Sequence, residues 1–179
     1  MPANSAIYTS MIRPILRHGA GILHAEASPV IAFDKELETL IEDMVQTMYA
    51  ASGVGLAAPQ IGVGFRIFVA DPSSGHSLDE LITVINPKVL EQDGIQTEEE
   101  GCLSLPGFTD RVNRPSRVVL SGYDKDGSSI KVEGTDLLAR VLQHEMDHLN
   151  GSLFVDRLHG FRKQKIVRRV RKLQRTGKW

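Results

Sequence analysis

The sequence predicts an α+β fold: antiparallel strands packed around a central helix, with one helix before the strands and another at the C-terminus. Three observations predict it. Apolar residues recur at helical spacing from Leu37 to Tyr49, short extended runs separated by turn residues fill the middle of the chain, and a second helical stripe runs from Leu137 to Leu149. No repeat or linker divides the chain, so residues 1–179 read as one domain.

The elements follow in order. Residues 1–12 hold Ser5, Thr9 and Ser10 and no acid, and read as a short flexible lead. Asp34 is placed to cap a helix whose buried stripe is Leu37, Leu40, Ile41, Met44, Val45, Met48 and Tyr49. Phe65 to Ala70 and Leu81 to Ile85 read as buried strands, whereas Gly107 to Asn113 reads as a loop. Arg117 to Tyr123 and Ser129 to Glu133 flank the turn signal Asp124-Lys125-Asp126-Gly127 and predict a hairpin. The central helix is expected to start at Thr135 as cap, with Asp136 in its first turn, and to stop at Gly151.

That helix carries the chemistry. In Gln143-His144-Glu145-Met146-Asp147-His148, two histidines four apart flank a glutamate. At about 100° per residue, His148 lies roughly 40° around and ~6 Å along from His144, so both imidazoles reach one ion. Glu145 projects to the flank of that face, where it serves a water better than it serves as a ligand. Leu137 and Val141 continue the stripe, which puts the histidines toward the core, where a polar side chain needs a partner.

A third ligand must come from elsewhere. Downstream, the position six residues after His148 is Phe154, and no glutamate follows Glu145; His159 and Asp156 are the remaining candidates there. Upstream, Cys102 is the only cysteine, in Glu100-Gly101-Cys102-Leu103-Ser104-Leu105-Pro106-Gly107. A thiolate suits zinc or ferrous iron, and Gly101 lets the backbone come close. Taken by itself, a lone cysteine is more often a small buried hydrophobe. Gly53-Val54-Gly55-Leu56-Ala57-Ala58-Pro59-Gln60 gives a backbone open to close approach, with the Gln60 amide as a donor; a helix end followed by a tight loop explains the same composition.

Together the segments Gly53 to Gln60, Glu100 to Ser104 and Gln143 to His148, in this order, resemble the peptide deformylase family, and weaker similarity extends from Arg13-Pro14-Ile15-Leu16 to the final helix. The resemblance implies one divalent metal ion on Cys102, His144 and His148, ferrous iron in the native enzyme with zinc or nickel able to replace it. It implies Glu145 as general base, the Leu103 backbone N–H and the Gln60 amide as donors to the reacting oxygen, and the N-formylmethionine of nascent peptides as substrate. An entrance near Gly55 and Leu103, bordered by Gly101, would admit the formyl group. Val54, Leu103, Leu137, Val141 and the stem of Arg140 are the candidates for the methionine pocket, although core packing would equally explain the apolar members. Where some relatives carry an arginine seven residues after the cysteine, this chain has Thr109, with Arg111 two positions on. A zincin-type metallopeptidase is the rival reading of the helix motif.

Charge is uneven. Residues 157–179, read as a basic C-terminal helix, hold ten lysines and arginines and no acid, leaving 11 basic and 22 acidic residues in the rest of the chain. Leu158, Phe161, Ile166, Val170 and Leu173 give that helix an apolar stripe, and the chain beyond Leu173 reads as unstructured. The resemblance implies that these cations touch the ribosome; a solvated helix face is the alternative. One cysteine excludes an internal disulfide and suits a reducing compartment, and no apolar run is long enough to cross a bilayer. The expectation is a cytoplasmic monomer, with an organellar origin as the alternative.

Overall fold

The computed structural model describes residues 11–179. Helix α1 spans Lys35–Ala50 and seven strands follow: β1 Gly55–Ala57, β2 Ile67–Ala70, β3 Ile82–Asp93, β4 Gln96–Gly101, β5 Thr109–Arg114, β6 Arg117–Tyr123 and β7 Ser129–Thr135. Helices α2, Asp136–Leu149, and α3, Gly160–Arg175, complete the order. Strands β1-β2-β3-β6-β7 form an antiparallel sheet in that order, and β4 pairs with β5 in a separate antiparallel ribbon.

The alternation of side chains along β2 explains its unbroken apolar run. Phe68 and Ala70 join Val84, Val118 and Leu120 against Ala139, Leu142, Met146 and Leu149 of α2, while Ile67 and Val69 face Ile41, Met44 and Met48 of α1. The strand is therefore buried on both faces. Helix α2 is covered on its other side by the β4–β5 ribbon, through Arg140 Nη2 to Val112 O (3.1 Å) and Gln143 Nε2 to Pro115 O (3.0 Å). Every residue from Ala139 to Leu149 is buried as a result. A third cluster joins Leu23, Leu105 and Val112 to Leu153, Phe154, Ile166 and Val170, and seats α3.

Several expectations need correction. The first helix and its Asp34 cap stand, the carboxylate accepting from Leu37 N. Thr135 occupies the cap position of α2 but its hydroxyl makes no capping bond: it remains in the β7 ladder opposite Arg117, and Asp136 turns the chain with a φ of +48°. The second strand begins at Ile67, and β3 continues past Ile85 through two register shifts to Asp93, its exposed far half, residues 88–93, held by pairing with β6 and carrying no apolar pattern of burial to announce it. Residues 109–113, expected within a loop, belong with Arg114 to strand β5, a polar ribbon whose alternation puts only Val112 and Arg114 inside. Gly53 to Gln60 contains strand β1 and a tight turn rather than a plain loop.

Both ends of the described chain also differ from expectation. Residues 1–10 of the expected lead lie outside the described residues, but Met11 is already anchored by its N–H to Asp43 Oδ1 (2.5 Å). Beyond Leu173 the chain is tied down: Trp179 Nε1 donates to His18 O (2.9 Å), its ring meets Phe108 edge to face, and Arg17 lies over it. The stripe of α3 buries Ile166 and Val170, whereas Phe161 is 74% exposed. No described helix is long and apolar enough to cross a membrane.

Candidate active site

The spacing of the two histidines on α2 works as the helix period requires. His144 and His148 face each other with Nε2 atoms 3.2 Å apart, and Cys102, directly after β4, brings its Sγ to 3.2 Å from His148 Nε2. The three donor atoms lie within 4.8 Å of one another. A tetrahedral ion with nitrogens at about 2.0–2.1 Å and sulfur at about 2.3 Å sets its ligand atoms roughly 3.3–3.6 Å apart, so these residues fit a divalent metal. The downstream alternatives fall away. His159 is exposed, and Asp156 is committed to Leu153 N (3.1 Å) and Lys163 (2.9 Å).

Glu145 is 3% exposed and its Oε2 has no hydrogen-bond partner among the described residues. Burial pushes its carboxyl up to about 7. It faces Gly55, and the glycine is required: a Cβ there would collide with Glu145 Oε1 and come within 2.9 Å of Val141 Cγ1. Both glycine and carboxylate line one cleft of about 440 Å³.

Gln60 is fixed by its carbonyl. Oε1 accepts from Ala57 N (2.9 Å), which settles the orientation of the amide and turns Nε2 toward Ser104 Oγ (3.2 Å) and Cys102 Sγ (3.7 Å). Leu103 N–H has no partner among the described residues, while the following Ser104 N–H points to Cys102 Sγ (3.4 Å). A buried amide and an uncommitted backbone N–H thus sit beside the cysteine.

The cleft brings together Val54, Gly55, Gln60, Gly101, Cys102, Leu103, Leu137, Arg140, Val141, His144 and Glu145; His148, fully buried, lies beneath it. Leu137 departs from the expected core position, since at 50% exposed it forms the rim, at the first turn of α2 where the sheet no longer covers it. Thr109 lines the cleft. Arg111 does not: its Nη2 donates to Thr97 O (2.9 Å).

The sequence reading missed the ionic cluster under the site. Glu100 Oε1 meets His144 Nδ1 at 2.6 Å, which places the proton on Nδ1 and frees Nε2 as a ligand. Arg114, 0% exposed, grips Glu100 through Nε (2.7 Å) and Nη2 (2.5 Å) and reaches Asp147 through Nη1 (3.0 Å). Arg140 adds a bond to Glu100 (2.7 Å), and Arg157 takes both oxygens of Asp147 at 2.6 Å. Burial alone would raise the Glu100 carboxyl; the Arg114 guanidinium and His144 outweigh it and hold Glu100 far below the usual carboxylate range. Asp147, between the two histidines in sequence, and Glu100, two residues before the cysteine, were the visible signals.

Comparison with known proteins agrees with this geometry. Residues 12–164 match the polypeptide deformylase family. A peptide deformylase of Acidobacterium capsulatum is 44% identical over 169 residues, covering 94% of this chain and 99% of that protein. The crystal structure of a peptide deformylase from Legionella pneumophila superposes with a TM-score of 0.86 at 44% identity, over 93% of this chain and 97% of that one. That from Thermus thermophilus gives 0.84 at 39%, over 90% and 95%. Likeness of this extent, on a chain whose Cys102, His144 and His148 donor atoms come together at the cleft that Glu145 lines, places the protein in the polypeptide deformylase family of enzymes.

Proposed function

We propose that this chain, acting as one catalytic domain, removes the formyl group from the N-terminal formylmethionine of nascent polypeptides. The observation that carries the reading is the buried carboxylate of Glu145, its Oε2 without a hydrogen-bond partner among the described residues, beside the Cys102-His144-His148 group at the cleft. Those three residues would hold a divalent ion, which when bound would supply Lewis acidity, lowering the pKa of a water and polarising the substrate carbonyl. Ferrous iron is the proposed native ion, with zinc or nickel able to replace it, since one thiolate and two imidazoles suit all three.

Glu145, poised near neutral pH, takes a proton from the attacking water as the water oxygen bonds to the formyl carbon. Charge gathers on the carbonyl oxygen, where the Gln60 amide and the Leu103 N–H donate to it. Glu145 returns its proton to the departing nitrogen, the C–N bond breaks, and formate and a free amino-terminal methionine leave. The methionine side chain sits among Val54, Leu103, Leu137, Val141 and the stem of Arg140. The passage bounded by Gly55, Gly101 and Leu103 accepts a carbonyl that bears only hydrogen on its far side and excludes bulkier acyl groups. The basic C-terminal segment, residues 157–179, is proposed as a contact with ribosomal RNA, and the cytoplasm as the compartment of a monomeric enzyme.

A zincin-type endopeptidase is not favoured, because the third donor is a cysteine that directly follows the ribbon strand β4, and neither His159 nor Asp156 joins the group. The test is formate release from a formyl-Met peptide beside an acetyl-Met control. Glu145→Gln should keep its metal and lose about 10²–10⁴ in kcat, as removal of a positioned base does. Metal loss in parallel with activity would make Glu145 a ligand instead. Cleavage of internal peptide bonds, with indifference to Cys102→Ser, would favour the zincin reading.

A further inference from the structure

Beside the cleft lies a second groove, of about 650 Å³, and the two share Gly107, Phe108 and Thr109 as a common wall. Its lining includes Phe108 and the buried Ile166, with the exposed Phe161 at the edge. Its rim is cationic: Arg162, Lys165, Arg168, Arg169 and Lys172 all come from one face of α3. The only acid lining it is Asp110, which is bound by Arg162 through both guanidinium Nε (3.1 Å) and Nη2. Arg168, Arg169 and Lys172 have no carboxylate partner among the described residues. This basic face stands on a body in which acids outnumber bases two to one.

We propose that this groove receives the part of the substrate chain that emerges from the cleft, and that it favours acidic side chains there. The proposal rests on the formyl-peptide reading above. A peptide held by its first residues in the cleft leaves past Gly107 to Thr109, the wall that both cavities share. From Arg162 to Lys172, α3 runs about 15 Å. An extended chain advances about 3.3 Å per residue, so four or five downstream residues span the cationic rim. Apolar stems and rings in the lining suit a polypeptide backbone with mixed side chains. An RNA strand would need the cations but not continuity with the cleft.

The experiment compares three substrates on the metal-loaded enzyme at low salt: formyl-Met-Ala-Ser, and two octapeptides that extend it with alternating glutamates or alternating lysines. Each protein's kcat/KM on the tripeptide is its own reference. In the wild type the glutamate octapeptide should exceed the lysine one by about 3- to 10-fold, carried in KM, as two or three exposed ion pairs supply. The ratio should fall to one or below in Arg168→Glu/Arg169→Glu, and shrink in the wild type at high salt as the charges are screened. Tripeptide turnover with the same ratio in both proteins would overturn the groove alone. That result, together with weaker binding of a single-stranded RNA oligonucleotide by the variant, would make the face a nucleic-acid surface. No formate from the tripeptide with wild type would overturn the activity reading and the groove with it.

Discussion

Arg114 and Arg117 stand three residues apart, at the end of β5 and the start of β6, and each is surrounded by carboxylates, yet they occupy different physical worlds. Arg114 is fully buried between Glu100 and Asp147. Arg117, its side chain 32% exposed, bonds Glu133 (2.6 Å), Glu91 (3.1 Å) and Asp93 (3.2 Å) across the outer face of the sheet. Pro115 and Ser116 carry the chain from the ribbon that covers α2 to the sheet on its other side, and solvent access changes with that step. Counting ion pairs would rank the two alike. Burial separates them, because a charge removed from water is tolerated only while every partner stays in place, whereas an exposed one is rescued by solvent.

The largest effect should come from Arg114→Met, which keeps the volume and removes the charge. Glu100 and Asp147 would lose a buried counterion, at a cost of about 3–5 kcal/mol. For a chain of this size that corresponds to a fall in Tm of about 6–20 °C by calorimetry. Arg114→Met with Glu100→Gln should recover only the part of the loss that comes from Glu100, since that carboxylate no longer carries a charge, while Asp147 keeps Arg157 and Arg140 loses its carboxylate partner. A single variant that melts with the wild type would break the comparison, because the buried cluster would then behave like the exposed one.

Glu100→Gln sharpens the comparison by connecting the cluster to the site. Its carboxylate orients His144 through Nδ1, and loss of such a partner typically lowers metal affinity by about 10- to 100-fold, measurable by competition with a chelator. The pH dependence has a definite sign. The folded-state carboxyl is depressed, so its stabilisation is present above the unfolded value of about 4.3 and is lost as pH falls below it toward the folded pKa. The wild type should therefore lose stability steeply below about pH 4, and Glu100→Gln, weaker at neutral pH, should show a flatter acid limb. An unchanged acid limb would mean that other carboxylates govern acid unfolding.

Legibility in the sequence follows the same division. His144, Glu145 and His148 were readable because a helix places four-apart residues together without help from the rest of the fold. Cys102 needed its neighbours, since a lone cysteine is ambiguous until β4 is seen to deliver it to α2. Glu100 stood inside a recognised segment with no role attached, and Arg114 gave no signal at all. It directly follows the stretch Gly107 to Asn113 that reads as a loop, and only long-range pairing of β5 with β4 turns it inward. Trp179 was overlooked for a related reason: the charged stretch before it looks solvated, although its ring and N–H find Phe108 and His18. Local periodicity is visible in a sequence, but a charge buried by tertiary contact is not.

The smallest effect should come from Arg117→Ala. Its guanidinium joins three carboxylates from β3 and β7, and this pulls its own pKa above the ordinary arginine value through bonds led by the one to Glu133. Each partner remains hydrated, so the variant leaves three acids in water rather than three orphans in a core. Metal content and formate release should equal those of the wild type, because no member of the cluster lines the cleft. A slight fall in Tm at low ionic strength, from repulsion among Glu91, Asp93 and Glu133, should vanish when salt screens it. A loss approaching that of Arg114→Met, or one insensitive to salt, would show that Arg117 holds β3 and β7 together through more than surface charge, and the contrast between the two arginines would fail.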